Sequence, residues 1–184
     1  MPEPPRGIRK RELHKLVVAR SDVNAARHAC EVLLTRIKDL GDDLYMPLLY
    51  AAAISYGRPF SDNRPIGPLP GRWRRFDDPR LQKTHDDLLE TRNKLVAHSD
   101  PAERTVDIYP PGAPLGKTGL VSGGVSVSIR LGGVFTIARF QDVYDTCMDL
   151  GGRLNDEVQA LLQELYGNRE LPKTDFPLTF DDGL

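Results

Sequence analysis

Cysteine is scarce in this chain: two in 184 residues, Cys30 and Cys147. Neither belongs to a C-x-x-C pair or a histidine-rich tract. That excludes a disulfide framework and leaves no zinc-ligand spacing; two thiols at apolar positions predict a reduced, cytoplasmic protein. Long hydrophobic runs are missing too. The longest mostly apolar stretch, LYMPLLYAAAISY, falls short of the ~20 residues that span a bilayer, so no membrane partner is expected. The opening MPEPPRGIRKRE has no apolar core of the signal-peptide kind. Charge of one sign is absent as well: 25 Lys and Arg against 26 Asp and Glu leave a net charge of −1. A polyanion would have to meet a local patch rather than the field of the whole chain. No G-x-G-x-x-G or Walker-type loop occurs, and the glycines of LVSGGVSV stand in no phosphate-cradling context. Nothing calls for a metal or a cofactor.

What is present is helical periodicity. The hydrophobic content of 40% supplies the core of one domain. Residues 1–20 read as a basic N-terminal segment, mobile at its proline-rich start, with a short helix over 8–20 that has Leu13, Leu16 and Val17 on one side. Ser21-Asp22 reads as a cap or a register break. Beyond it Val23, Ala26, Cys30, Leu33, Ile37 and Leu40 alternate steps of three and four, one helical stripe closed by Gly41. Asp42 or Asp43 is set to cap a second helix over 44–57, apolar nearly all round and therefore expected at the centre of a bundle. Residues 58–78, rich in proline and glycine, predict a long loop.

Asp78-Pro79 opens a third helix expected to run to about His98. The period then changes: RTVDIYP, VSVSIRL and VFTIARF begin by alternating between glycines, which predicts a small antiparallel sheet of two or three strands at about 104–137. Phe140, Val143, Tyr144, Cys147, Leu154, Val158, Leu161 and Leu165 form a last long stripe, with Gly151-Gly152 as a candidate kink. The fold class expected is thus mainly α, an antiparallel helical bundle with a β-hairpin insert before the last long helix. Its single domain covers 21–166, and an irregular acidic tail covers 167–184.

The third helix carries the chemistry. At roughly 100° per residue, Leu81, Leu88, Leu89, Leu95 and Val96 share one face, and Arg92 falls close to its middle. A buried, unpaired guanidinium costs several kcal/mol. Arg92 therefore needs an internal carboxylate, a run of carbonyls, or a cleft in which an external anion reaches it. His98 follows six residues on, roughly 9 Å along the axis. Near a helix C-terminus the dipole favours its imidazolium, which suits a proton donor. The structural alternative pairs Arg92 with a buried acid and leaves His98 as a helix end, before the stop signal Ser99-Asp100-Pro101.

The stretch HDDLLETRNKLVAHSD resembles the R-x(4–6)-H signature of the HEPN superfamily, with Asn93 as the polar residue after the arginine, and its context is similar to bacterial HEPN proteins of abortive-infection and toxin type. The specific match covers about ten residues; the layout of long helices resembles the superfamily from about 23 to 166, with the hairpin as a departure. The resemblance implies a metal-independent endoribonuclease acting as a homodimer with two R…H motifs facing one cleft. It implies that Arg92 binds the scissile phosphate, His98 is the general acid or base, Asn93 orients one of them, and a cognate antitoxin is a possible partner. The alternatives are a non-catalytic HEPN-like module that binds RNA, a nucleotide or a partner protein, and a purely structural helical dimer.

Lys94 and the loop residues Arg72, Trp73, Arg74 and Arg75 are secondary candidates for RNA contact, because arginines interleaved with aromatics suit a single strand. The competing reading is a solvated loop pinned by Trp73. His85, on the apolar side of the third helix, reads as a core histidine. Cys30 and Cys147 read as core thiols rather than nucleophiles.

Overall fold

The computed structural model describes residues 6–39, 41–62, 64–97, 104–114, 121–129, 136–168 and 173–180. Four helices make a bundle: α1 (Arg6–Arg36), α2 (Tyr45–Gly57), α3 (Pro79–Thr91) and α4 (Phe140–Tyr166). α1 lies against α4 and α2, and α3 packs on the same two helices. Between α3 and α4 the backbone of β1 (Arg104–Pro114) pairs antiparallel with β2 (Val121–Ile129). Arg104 stands opposite Ile129 and Val106 opposite Val127, and the register shifts between Tyr109 and Ala113.

α1 corrects the sequence reading. It is one helix through Ser21 and Asp22, with no break between a basic segment and the domain. The buried stripe Val23, Ala26, Cys30, Leu33 and Ile37 extends backward without a change of phase into Ala19, Leu16 and Leu13. Magnitudes explain why the cap signal loses. Ser and Asp inside a helix cost a few tenths of a kcal/mol each, whereas burying a leucine contributes about 1.5–3 kcal/mol, and Leu13 and Leu16 are both buried. Ser21 faces solvent, and Asp22 accepts from Arg58 across to the end of α2 at 3.3 Å.

α2 is buried on one face rather than all round. Tyr45, Leu49, Ala52, Ala53, Tyr56 and Gly57 are inside, while Met46, Leu48 and Tyr50 cover the core edge half-exposed. Asp42 organises the turn before it, accepting from Leu44 N at 2.8 Å, but the cap position itself is Leu44. α3 starts as its sequence predicts, with Asp78 Oδ1 accepting from Arg80 N at 2.7 Å and Pro79 in the first turn. Of the third alternating segment, VFTIARF, Ile137–Arg139 form a 3-10 turn that leads into α4, and Val134 and Phe135 lie outside the described residues. α4 runs unbroken through Gly151 and Gly152.

Two polar devices join α3 to its neighbours. At one end Arg80 Nη1 reaches Asp142 at 2.6 Å and Asp145 at 2.9 Å, and Arg139 Nη1 reaches Asp87 at 2.6 Å. Deeper, His85 Nδ1 shares a hydrogen with the hydroxyl of Tyr56 at 2.7 Å, inside a cage that includes Phe60 and Phe76. Burial pushes the imidazole pKa down to about 4; the neighbouring Asp86 opposes the shift, and Arg74 and Arg153 reinforce it.

Two predictions follow from this packing. Gly152 lies mid-helix with open space where a Cβ would stand, so Gly152→Ala should raise stability by about 0.5–1 kcal/mol in urea unfolding; a loss would mean that the helix is not regular there. His85 takes a proton more readily in the unfolded chain, near the ordinary imidazole value of 6.5, than in the folded one, near 4. The unfolded state therefore binds more protons between those values. The stability is fully present above about pH 6.5 and declines as pH falls towards 4, by up to about 3 kcal/mol. Urea midpoints at pH 7 and pH 4.5 should show the fall in the parent protein and a smaller one in His85→Gln.

Candidate functional site

α3 ends where the motif begins. The backbone N–H of Arg92 reaches both Leu88 O and Leu89 O, and residues Arg92–Ala97 then wind as a π-helix. Such wider turns recur at functional positions. Arg92 continues the buried row Leu81, His85, Leu88, as the helical spacing predicts, and is half-buried. Its stem crosses Gly57, the last residue of α2. A Cβ added at Gly57 would stand 2.9 Å from Arg92 Cγ and 3.2 Å from Cδ. The arginine thus occupies space that any side chain at position 57 would fill.

Electrostatics decide what this arrangement can do. Arg92 Nη1 donates to Asn93 Oδ1 at 2.9 Å. Among the described residues no carboxylate pairs with Arg92. The α2 C-terminus beneath it carries the negative end of a helix dipole, a favourable interaction of about 0.3–1 kcal/mol. That is enough to orient a guanidinium without neutralising it. The methylene stem takes the burial and the charged head keeps its donors. Asn93 and Lys94 are exposed, and Lys94 Nζ lies 2.5 Å from Glu90 Oε1. His98, the other half of the motif, lies outside the described residues.

Of the loop candidates Trp73 is buried, while Arg72, Arg74 and Arg75 are exposed and also make contacts within the chain. Arg72 reaches Glu157 at 3.0 Å and Glu12 at 3.3 Å. Arg74 donates to Phe60 O at 2.9 Å and lies over the Phe60 ring. The carbonyl of Arg75 accepts from Arg153, whose guanidinium covers Phe76. Trp73 is 5% exposed, so most of its ring is packed in the core. These residues fasten the 58–78 loop to α1 and α4. The arginine-aromatic interleaving that suits RNA serves cation–π and carbonyl contacts within the chain.

Both thiols are inert as placed. Burial pushes Cys30 up to about 12 and Cys147 well above the usual thiol range, so neither forms the thiolate that nucleophilic chemistry needs. Among the described residues no three of His, Cys, Asp and Glu gather as metal ligands would. The end of α2 at Gly57 agrees with its sequence, but the contact of Gly57 with Arg92 and the Tyr56–His85 pair had no sequence signal. Comparison with protein-family models, with curated proteins and with solved structures finds no match for the chain.

The Gly57 contact is testable. Alanine at a helix end gains up to about 1 kcal/mol over glycine, but forcing a methyl into an occupied space costs about 1–3 kcal/mol. Gly57→Ala should therefore destabilise by about 1 kcal/mol and shift the Arg92 Nε–Hε resonance; an unmoved resonance would show that the two side chains do not meet.

Proposed function

We propose that this chain is a metal-independent endoribonuclease of the HEPN toxin or phage-defence type. In this reading the bundle is HEPN-like, with the hairpin as an insert before its last helix. Two copies associate so that two Arg92/His98 pairs face one cleft. Arg92 binds the non-bridging oxygens of the scissile phosphate and stabilises the charge that grows on them. One His98 removes the proton of the ribose 2′-hydroxyl, which attacks phosphorus. The other His98 returns a proton to the departing 5′-oxygen, leaving a cyclic phosphate end. Asn93, hydrogen-bonded to Arg92, orients the guanidinium.

The observation that carries the reading is a half-buried guanidinium that meets no acid among the described residues. The structural alternative requires an internal carboxylate partner, and the Arg92 stem instead crosses the buried glycine at the end of α2. RNA is the expected partner, with a cognate antitoxin a natural companion for such an activity.

Incubation of the purified protein with total RNA in excess chelator tests the proposal. The parent should produce fragments with cyclic phosphate ends. Arg92→Ala and His98→Ala should each lower cleavage by about 100-fold or more, with thermal unfolding still cooperative. Variants that cleave like the parent would refute the assignment. RNA that is bound but left intact by the parent would make the chain a non-catalytic RNA-binding module.

A further inference from the structure

A cavity of about 860 Å³ lies on the other side of the loop, between the first half of α1, the chain around Ile66 and Trp73, and the tail at Phe180. Its volume is within the ~300–1,000 Å³ range of small-molecule sites. The walls are mostly apolar, formed by Ile8, Leu16, Ile66, Trp73 and Phe180. Phe180 is held in place by an edge-on contact with the ring of His14 at 5.5 Å.

The charged groups at this cavity are unbalanced. Its one acid, Glu12, is already engaged by Arg9 at 2.9 Å and Arg72 at 3.3 Å. Its cations, Arg11 and Lys15, meet no carboxylate among the described residues. Lys15 spends one donor on Pro68 O at 3.3 Å, which leaves two of an ammonium's three. Arg11 is exposed and meets no carboxylate among the described residues. The indole N–H of Trp73 has no acceptor among them either.

From this we infer that the cavity is a binding site for a small amphipathic carboxylate, with the apolar body between Ile66, Trp73 and Phe180 and the carboxylate at Arg11 and Lys15. The site is separate from the Arg92 motif and independent of the ribonuclease proposal. An apolar body alone would fit the walls and gain nothing from the cations; an amine would be repelled by them. A carboxylate gains charge-assisted hydrogen bonds, worth roughly tenfold or more in affinity.

Trp73 is the only tryptophan in the chain, so its emission and its indole N–H resonance report directly on this cavity. Full-length protein should be titrated with decanoate, decanol and decylammonium below their micelle concentrations. Decanoate should shift both Trp73 signals saturably and bind about tenfold or more tighter than decylammonium, with decanol between them. Arg11→Glu combined with Lys15→Glu should reverse that order. A saturable response absent with decanoate, or equal affinity for the acid and the amine, overturns the inference, as does an unchanged order in the double variant. Should the double variant fail to fold, the ranking of the three ligands on the parent protein decides alone.

Discussion

The arginine at the end of α3 lies across a glycine at the end of α2, and that contact ties the bundle to its candidate chemistry. It requires two helices to finish at the same place, a residue without a side chain in one of them, and a long cation in the other. The guanidinium donates to Asn93 Oδ1, and the negative end of the α2 dipole lies near it without discharging it. A carboxylate there would have made a closed, internal ion pair of the kind that contributes little to stability and nothing to recognition. Among the described residues the stem of this cation packs at Gly57 and its head meets no carboxylate.

The bundle was legible wherever a stripe of apolar residues was long. The spacing of Phe140, Val143, Cys147, Leu154, Val158, Leu161 and Leu165 predicted the inner face of α4, and all seven are buried. In α1 the same held for Val23, Ala26, Cys30 and Leu33, although the helix ends at Arg36 rather than at Gly41, and Leu40 lies outside the described residues. The error at Ser21-Asp22 came from weighing a local cap signal above a periodicity that continued through it. Two small polar residues on an exposed face cost far less than the burial of Leu13 and Leu16 returns. α2 misled in the opposite direction: its composition is apolar on every side, but only tertiary packing decides which face is covered, and Met46, Leu48 and Tyr50 stay at the edge.

The site was legible in part. Helical spacing alone placed Arg92 on the row of Leu81, His85 and Leu88. It gave no sign of the wider π turn, nor of Gly57, thirty-five positions earlier. Long-range partners have no local signature, which is also why the loop arginines pointed towards RNA. Charge next to aromatic rings looks the same in sequence whether the rings face solvent or, like Trp73, the core. The pairs Arg72 with Glu12 and Glu157, Arg74 with Phe60 and Arg153 with Phe76 show that the same residues also make contacts within the chain. His85, by contrast, was readable as a core histidine from its position on the apolar side, and its hydrogen bond to Tyr56 supplies the polar partner such a residue needs.

The most direct measurement is the Arg92 Nε–Hε resonance during titration with a 2′-O-methyl oligoribonucleotide, which binds like RNA and has no hydroxyl to react. A guanidinium that receives an external phosphate should shift saturably, with an affinity that weakens as salt is raised. An Arg92 signal that stays fixed while the oligonucleotide binds elsewhere would contradict the central assignment.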